Sequence, residues 1–122
     1  MFNPDKIKSE KYVSLETYKK SKQAVRTPVW FVIKDGLIII VTRDQTGKIK
    51  RIRNNKKVKI ATCSIKGKTS MQMVSGTAKI LTQEETESAV KIRDKKYGFF
   101  SKVAKFLTKG KGNLIAISVK ID

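Results

Sequence analysis

The sequence contains no histidine and a single cysteine, Cys63. Without imidazole there is no histidine general base, no Ser-His or Cys-His nucleophile pair and no histidine-ligated metal site. One thiol builds neither an intrachain disulfide framework nor a thiolate cage, so no metal site is expected. Long apolar runs are also missing: none exceeds Leu37–Val41, which is far short of a membrane span. Residues Met1 to Glu10 carry charges of both signs and no apolar stretch, which predicts no signal peptide. By elimination, a soluble protein in a reducing, cytoplasmic setting is expected. Acidic residues are scarce, 10 against 28 lysines and arginines, and the formal net charge is +18. Such a surplus attracts polyanions: nucleic acid, acidic lipid, phosphorylated cofactors or acidic small molecules. Only Arg26, Arg43, Arg51, Arg53 and Arg93 are arginines. Base readout leans on bidentate arginine, so no specific nucleic-acid partner is expected and any attraction to polyanions or anionic lipid is weak and non-specific.

What is present suffices for one domain. The 122 residues are 39% hydrophobic, enough to build a core. Residues 1–11 read as an N-terminal arm or short helix. Tyr12–Tyr18 is rich in β-branched and aromatic residues and reads as a strand. Ala24–Ile33 reads as a second strand with Pro28 inside it, which requires an unpaired or bulged position. Asp35-Gly36 between two apolar runs predicts a tight hairpin into a third strand, Leu37–Thr42. Lys48–Asn55 fits a short helix with Ile49 and Ile52 on one face. Val58–Ile65 and Met71–Leu81 read as the fourth and fifth strands. Thr82-Gln83-Glu84-Glu85 is a capping box that should start a long helix running to about Tyr97, where Gly98 can break it. Phe99–Leu107 can form a second helical piece, so 83–109 is a helical insertion before the last strand. That strand, Leu114–Ile121, alternates cleanly. The order predicts a mainly β fold: a six-stranded antiparallel barrel with one long and one or two short helices.

Both faces of Val29–Ile33 and Leu37–Val41 are apolar, whereas a strand buried on one side alternates. Unless the long helix alone covers the outer face, a second copy must, and a homodimer paired through these strands is predicted. The stretch Val90–Leu107, with Lys91, Lys95, Lys96, Lys102 and Lys105, reads in two ways. It is either a basic amphipathic surface helix that touches membrane or nucleic acid, or a helix covering a barrel end with a solvated lysine face. Cys63, in an apolar strand, reads as an inert buried thiol.

The chemistry concentrates around Gly47-Lys48. This is no Walker loop: Ile49 stands where Ser or Thr should be, and Thr42 where the first Gly should be. It is a loop opening a helix, with Thr46 and Gly47 at its mouth and Lys48 and Arg51 one turn apart, an arrangement suited to a phosphate. Read together, Val25-Arg26-Thr27-Pro28-Val29-Trp30-Phe31, Val41-Thr42, Thr46-Gly47-Lys48, Asn54-Asn55 and Val58 resemble the cofactor-binding signature of the pyridoxamine-phosphate-oxidase-like flavin split barrels. The resemblance is closest to the branch that uses the deazaflavin coenzyme F(420), and Lys96-Tyr97-Gly98 also resembles that branch. It covers roughly Tyr12 to Gly98, and Arg-Thr-Pro-Val-Trp is its most specific piece.

The resemblance implies a dimeric six-stranded split barrel with two cofactor sites at the dimer interface. It implies that Arg26, Thr27, Pro28, Val29, Trp30 and Phe31 run along the edge of the tricyclic ring, and that Val41 and Thr42 flank the ribityl chain. Thr46, Gly47, Lys48 and Arg51 would hold the phosphate, and Met71, on the adjacent strand, would touch the ring from the other subunit's side. Trp30 reads equally as a pocket wall or as a core or interface residue. The activity implied is hydride transfer between F(420) and a small unsaturated substrate. No catalytic side chain is demanded, because the cofactor supplies the redox chemistry. The alternatives are FMN in the same fold, as a pyridoxamine-phosphate-oxidase-like enzyme or flavin reductase, and a non-enzymatic binder of cofactor, haem or polyanion.

Overall fold

The computed structural model describes residues 2–122. After a single turn of 3-10 helix, Pro4–Ile7, the chain forms β1 (Val13–Tyr18), β2 (Ala24–Val29), β3 (Val32–Lys34) and β4 (Leu37–Arg43). Then come α1 (Gly47–Asn54), β5 (Lys57–Thr62), β6 (Val74–Ile80), α2 (Gln83–Tyr97), α3 (Phe99–Thr108) and β7 (Leu114–Ile121). All strand pairings are antiparallel, in one sheet of order β2-β1-β5-β6-β7-β4-β3.

That order forces the sheet to roll up. Strands β2 and β3 are the two edges, yet only Trp30 and Phe31 connect them. Seven strands laid flat would separate the edges by about 29 Å, at about 4.8 Å per strand. Two linking residues span roughly 10 Å. The edges therefore meet, and Val29 from one and Ile33 from the other pack against the same interior cluster. Its fully enclosed members include Leu15, Phe31, Ile38, Ile40, Ile60 and Ile117 from around the barrel. Ile49 and Ile52 of α1, at the spacing expected for one helical face, plug this interior.

The mainly β split barrel expected from the sequence is thus present, with seven strands rather than six. Ala24–Ile33 is not one strand. At Phe31 the backbone leaves the sheet: its N–H donates to the Tyr97 hydroxyl (3.1 Å), and its carbonyl accepts from Lys96 Nζ (2.9 Å). Long-range bonds to α2 replace the ladder, which no local pattern reveals. Pro28 sits on an edge strand, where a missing N–H is tolerated. The expected fifth strand, Met71–Leu81, is here β6 and is shorter. It begins at Val74, so Met71 lies in the preceding loop.

The capping box forms: Glu85 N–H donates to Thr82 Oγ1 (3.1 Å) and Thr82 N–H to Glu85 Oε1 (3.0 Å). The helix it starts covers the outside of β3, β4 and β7, and Val32 (3% exposed) and Ile39 (5%) are buried against Ala89 and Ala116. The two-faced apolar strands find their second cover within the chain, so their pattern supplies no argument for a partner. No helix among the described residues is long and apolar enough to cross a membrane.

Candidate functional site

β4 ends at Arg43 and α1 begins at Gly47, so a short polar loop sets the helix start at the barrel's rim. Thr46 is the N-cap, with extended backbone, but its hydroxyl does not cap: it donates to the Arg43 carbonyl (2.8 Å). The first turn of α1 contains no acidic residue. Its amides therefore have no side-chain acceptor, at the positive end of the helix dipole.

Beside this helix start lies a cleft of about 570 Å³, a volume suited to a cofactor-sized molecule. Pro28, Val29 and Trp30 form one wall, and Val41, Thr42 and Arg43 another. Thr46, Gly47 and Lys48 close one end; Arg93 of α2, Ala104 and Thr108 of α3, and Lys111 are also in the lining. Four cations, Arg43, Lys48, Arg93 and Lys111, face this space and no carboxylate does. A larger cleft of about 740 Å³ lies between α2 and the start of β7. It sets Glu87 against Arg43 and Lys91 and contains none of the residues expected to hold a cofactor, so we place the site in the smaller one.

The cations are held under tension. Burial pushes the Lys48 ammonium below the ordinary lysine value, and repulsion from Arg51 and Lys111 adds to the effect. Arg93 is only 6% exposed. Burial lowers its pKa most; Asp94, 3.4 Å from Nη2, works in the opposite direction, and neighbouring Arg43 lowers it again. Its Nε is buried with no hydrogen-bond partner. Buried donors are nearly always paired, so this arginine is held at a cost, and as a cation lining the cleft it suits an anionic ligand. Arg43 is committed otherwise, donating to Thr108 Oγ1 (3.1 Å), the Gly112 carbonyl (3.1 Å) and the Lys105 carbonyl (2.9 Å).

Pro28, Val29, Trp30, Val41, Thr42, Thr46, Gly47 and Lys48 are brought together in the cleft; Arg26, Thr27, Phe31 and Arg51 are not among its lining residues. Arg26 is outside the lining and pairs with Glu16 (2.7 Å). Burial alone would raise the Glu16 carboxyl, but the Tyr18 hydroxyl and Arg26 outweigh it and hold it below the usual range. Thr27 is half-buried outside the lining, its Oγ1 enclosed without a partner. The Phe31 side chain is in the core, so only its backbone is near the site. Arg51 lies across Gly47 and donates to Thr17 Oγ1 (2.7 Å), facing a neighbouring recess with Lys50 and Asn54. Met71, expected to reach the ring from the other subunit's side, lines no part of the cleft of its own chain. Among the described residues no group of His, Cys, Asp or Glu is placed to hold a metal.

Arg43, Arg93 and Lys111 are the cations of the cleft that sequence reasoning missed. For Arg93 a signal existed. Thr86, Ala89 and Arg93 form the buried face of α2, so an arginine stands where helical periodicity calls for a small or apolar residue.

The Trp30 wall is fixed from behind. The Trp30 and Tyr97 rings stack at 4.3 Å with a 9° interplanar angle. The Tyr97 hydroxyl accepts from Phe31 N–H and lies 2.7 Å from the Lys11 carbonyl. Burial pushes the Tyr97 pKa up to about 12. Lys96 bonds the Glu10 and Phe31 carbonyls over the Phe31 ring, and burial pulls its pKa down to about 8. Tyr97→Phe is expected to destabilise the protein by about 1–3 kcal/mol at neutral pH, because the Phe31 N–H is left buried and unpaired. Thermal melts check this. The folded pKa is above the unfolded value, so the tyrosine's contribution is complete below pH 10 and lost between pH 10 and 12. The variant should therefore show a shallower loss of stability across that window, with Tyr18, also raised to about 12, supplying the remainder.

The comparisons with known proteins agree with this architecture. A similar fold occurs in a conserved hypothetical protein of Mycobacterium tuberculosis, with 16% identity over 99% of this chain and 81% of that one, at a TM-score of 0.74. The haem storage protein HutZ of Vibrio cholerae is 11% identical over 100% and 92% of the two chains, at a TM-score of 0.72. An F(420) reductase is 12% identical over 97% and 92%, at a TM-score of 0.66. At these identities the likeness is one of fold. No curated protein matches the chain. The family model described as pyridoxamine 5'-phosphate oxidase matches residues 5–122, and the chain belongs to that family.

Proposed function

We propose that this protein is an oxidoreductase that binds a phosphate-bearing flavin or deazaflavin in the cleft beside α1. In its finer form, the reading is hydride transfer between coenzyme F(420) and a small unsaturated substrate. The observation that carries it is the uncapped start of α1 in a cleft lined by four cations and no carboxylate. The donor set suits a phosphate, which would accept from the first-turn amides and from Lys48. When bound, such a cofactor supplies the two-electron redox chemistry.

The chain's own contribution is position and electrostatics. Lys48 and Lys111 anchor the anionic end, while Pro28, Val29 and Val41 give apolar walls that exclude water from the rest. Trp30, braced by Tyr97, offers a flat surface at the cleft wall. Tyr97 itself is committed to the Phe31 and Lys11 backbone and serves as a brace rather than a proton donor. The excess of lysines favours F(420), whose acidic oligoglutamate tail, implied by the family resemblance, meets a basic rim; FMN leaves that charge unused.

A second copy of the chain would close the open side of the cleft, as in the dimer the resemblance implies. Haem is the less supported alternative. The sequence has no histidine, and neither cysteine nor methionine lines the cleft.

Spectral titration tests the reading. Purified protein is incubated separately with F(420), FMN and haem, gel-filtered, and its retained chromophore recorded. Retention of F(420) in preference to FMN is expected. Retention of FMN alone would move the protein to the flavin branch, and retention of haem alone or of nothing would overturn the proposal.

A further inference from the structure

Helix α3 is amphipathic in the reverse sense from a helix that packs on its own fold. Its inward residues are Ser101, Ala104 and Thr108, small or hydroxylated. Its outward residues are Phe99, Phe100, Val103, Phe106 and Leu107, four of them at least 68% exposed. At about 100° per residue these five span an arc of about 120°, a continuous apolar stripe. Polar contacts hold the helix in place. Arg43 binds the Thr108 hydroxyl and the Lys105 carbonyl, Lys105 Nζ binds Asp94 (2.8 Å), and Ser101 Oγ donates to the Gly98 carbonyl (2.7 Å). Gly98, at φ +59° and ψ −131°, occupies a region that only glycine enters freely, and this turn redirects the chain from α2 into α3. The fold thus fixes the helix firmly while leaving its apolar face outside.

We propose that α3 docks this protein onto an anionic lipid bilayer, its phenylalanines and leucine entering the headgroup region and the lysines around them meeting lipid phosphates. From Lys95 to Ile121 the chain has seven lysines and no aspartate or glutamate. Lys102 borders the stripe within the helix, and Lys109 sits beside it with Nζ 4.9 Å from the Phe106 ring. Phenylalanine and leucine on one face, with lysine at its margin, is the composition of an interfacial helix. Charge also decides against a second copy at this face. A two-fold contact sets a surface against itself, and this one would oppose Lys102 and Lys109 to their own copies, while Asp94 of α2 is already paired with Lys105. Five exposed large apolar side chains would be wasted on nucleic acid. The inference is independent of the cofactor reading, since the stripe faces away from the cleft that Ala104 and Thr108 line.

Co-sedimentation of the full chain with vesicles tests it. Vesicles of phosphatidylcholine alone are compared with vesicles containing about one-third phosphatidylglycerol, a charge density typical of strongly anionic membranes. Binding to the anionic vesicles should exceed binding to neutral ones about tenfold or more and weaken with salt. The doubly substituted Phe106→Ser, Leu107→Ser protein should lose about tenfold in binding, as should Lys102→Glu. These positions are exposed, so melting temperature and cofactor retention should not change. Lys50→Glu, exposed on α1, serves as a control for net charge and should cost far less than Lys102→Glu. Equal binding to both vesicle types, or equal loss with Lys50→Glu, would overturn the proposal. So would a serine variant that keeps its vesicle binding but changes oligomeric state, which would identify the face as a subunit contact.

Discussion

Lys48→Ala is expected to weaken binding of a phosphate-bearing cofactor by about 10- to 100-fold, the cost of about 1.5–3 kcal/mol for one hydrogen bond to a charged group. The apoprotein should be no less stable than the parent. In the free protein Lys48 is a liability, partly buried and repelled by Arg51 and Lys111, with a pKa below the ordinary lysine value. Truncation relieves that repulsion and removes only a stem at the rim of the barrel. In the parent protein, affinity should fall as pH rises through the depressed Lys48 pKa, because a neutral amine offers no charge to the phosphate; the alanine variant should lack that component. Isothermal titration across pH, with melting temperatures of both apoproteins, measures every part. Unchanged affinity at neutral pH would show that the phosphate is anchored elsewhere.

A larger separation of stability from function is expected at Arg93. Arg93→Met removes a buried cation whose Nε lacks a partner and whose one carboxylate neighbour, Asp94, is 3.4 Å away and also serves Lys105. Replacing such a charge by an apolar side chain of similar length is often neutral or stabilising, here by about 1–2 kcal/mol. That corresponds to roughly 4–8 °C or more in melting temperature for a domain of this size. Affinity for an anionic ligand should nonetheless fall about tenfold or more, since Arg93 is one of four cations lining the cleft. Arg93→Lys should recover the charge but not the donor geometry, and so restore only part of the affinity. A destabilised methionine variant with intact cofactor binding would show that Arg93 is a structural strut.

The two experiments address one physical idea: the fold tolerates unbalanced positive charge at one place because a ligand neutralises it there. Natural proteins commonly keep such locally costly residues where function needs them. The free energy lost in the apoprotein is regained when the anion binds, so cofactor should raise the melting temperature in a concentration-dependent way.

Much of this molecule is legible in its sequence, wherever the signal is local. The Thr82–Glu85 capping box places the start of α2, and Asp35-Gly36 places the β3–β4 turn. The alternation of Ile115, Ile117, Val119 and Ile121 marks β7, and Gly47-Lys48 marks a cationic helix start. Each depends on residues a few positions apart, whose caps, turns and periodicity act through nearest neighbours. The absence of histidine alone also removes whole classes of catalysis. Only the tertiary structure decided three things. It broke the second strand at Phe31, because Tyr97 and Lys96, more than sixty residues away, take its backbone bonds. It covered the outer strand faces with α2 and turned the apolar face of α3 outward. It brought Arg93 beside Arg43 and Lys48 across a cleft while pairing Arg26 with Glu16 outside the lining. Those outcomes are set by the closure of the sheet, which joins segments far apart in the chain, and a pattern read over a few neighbouring residues carries no record of such meetings.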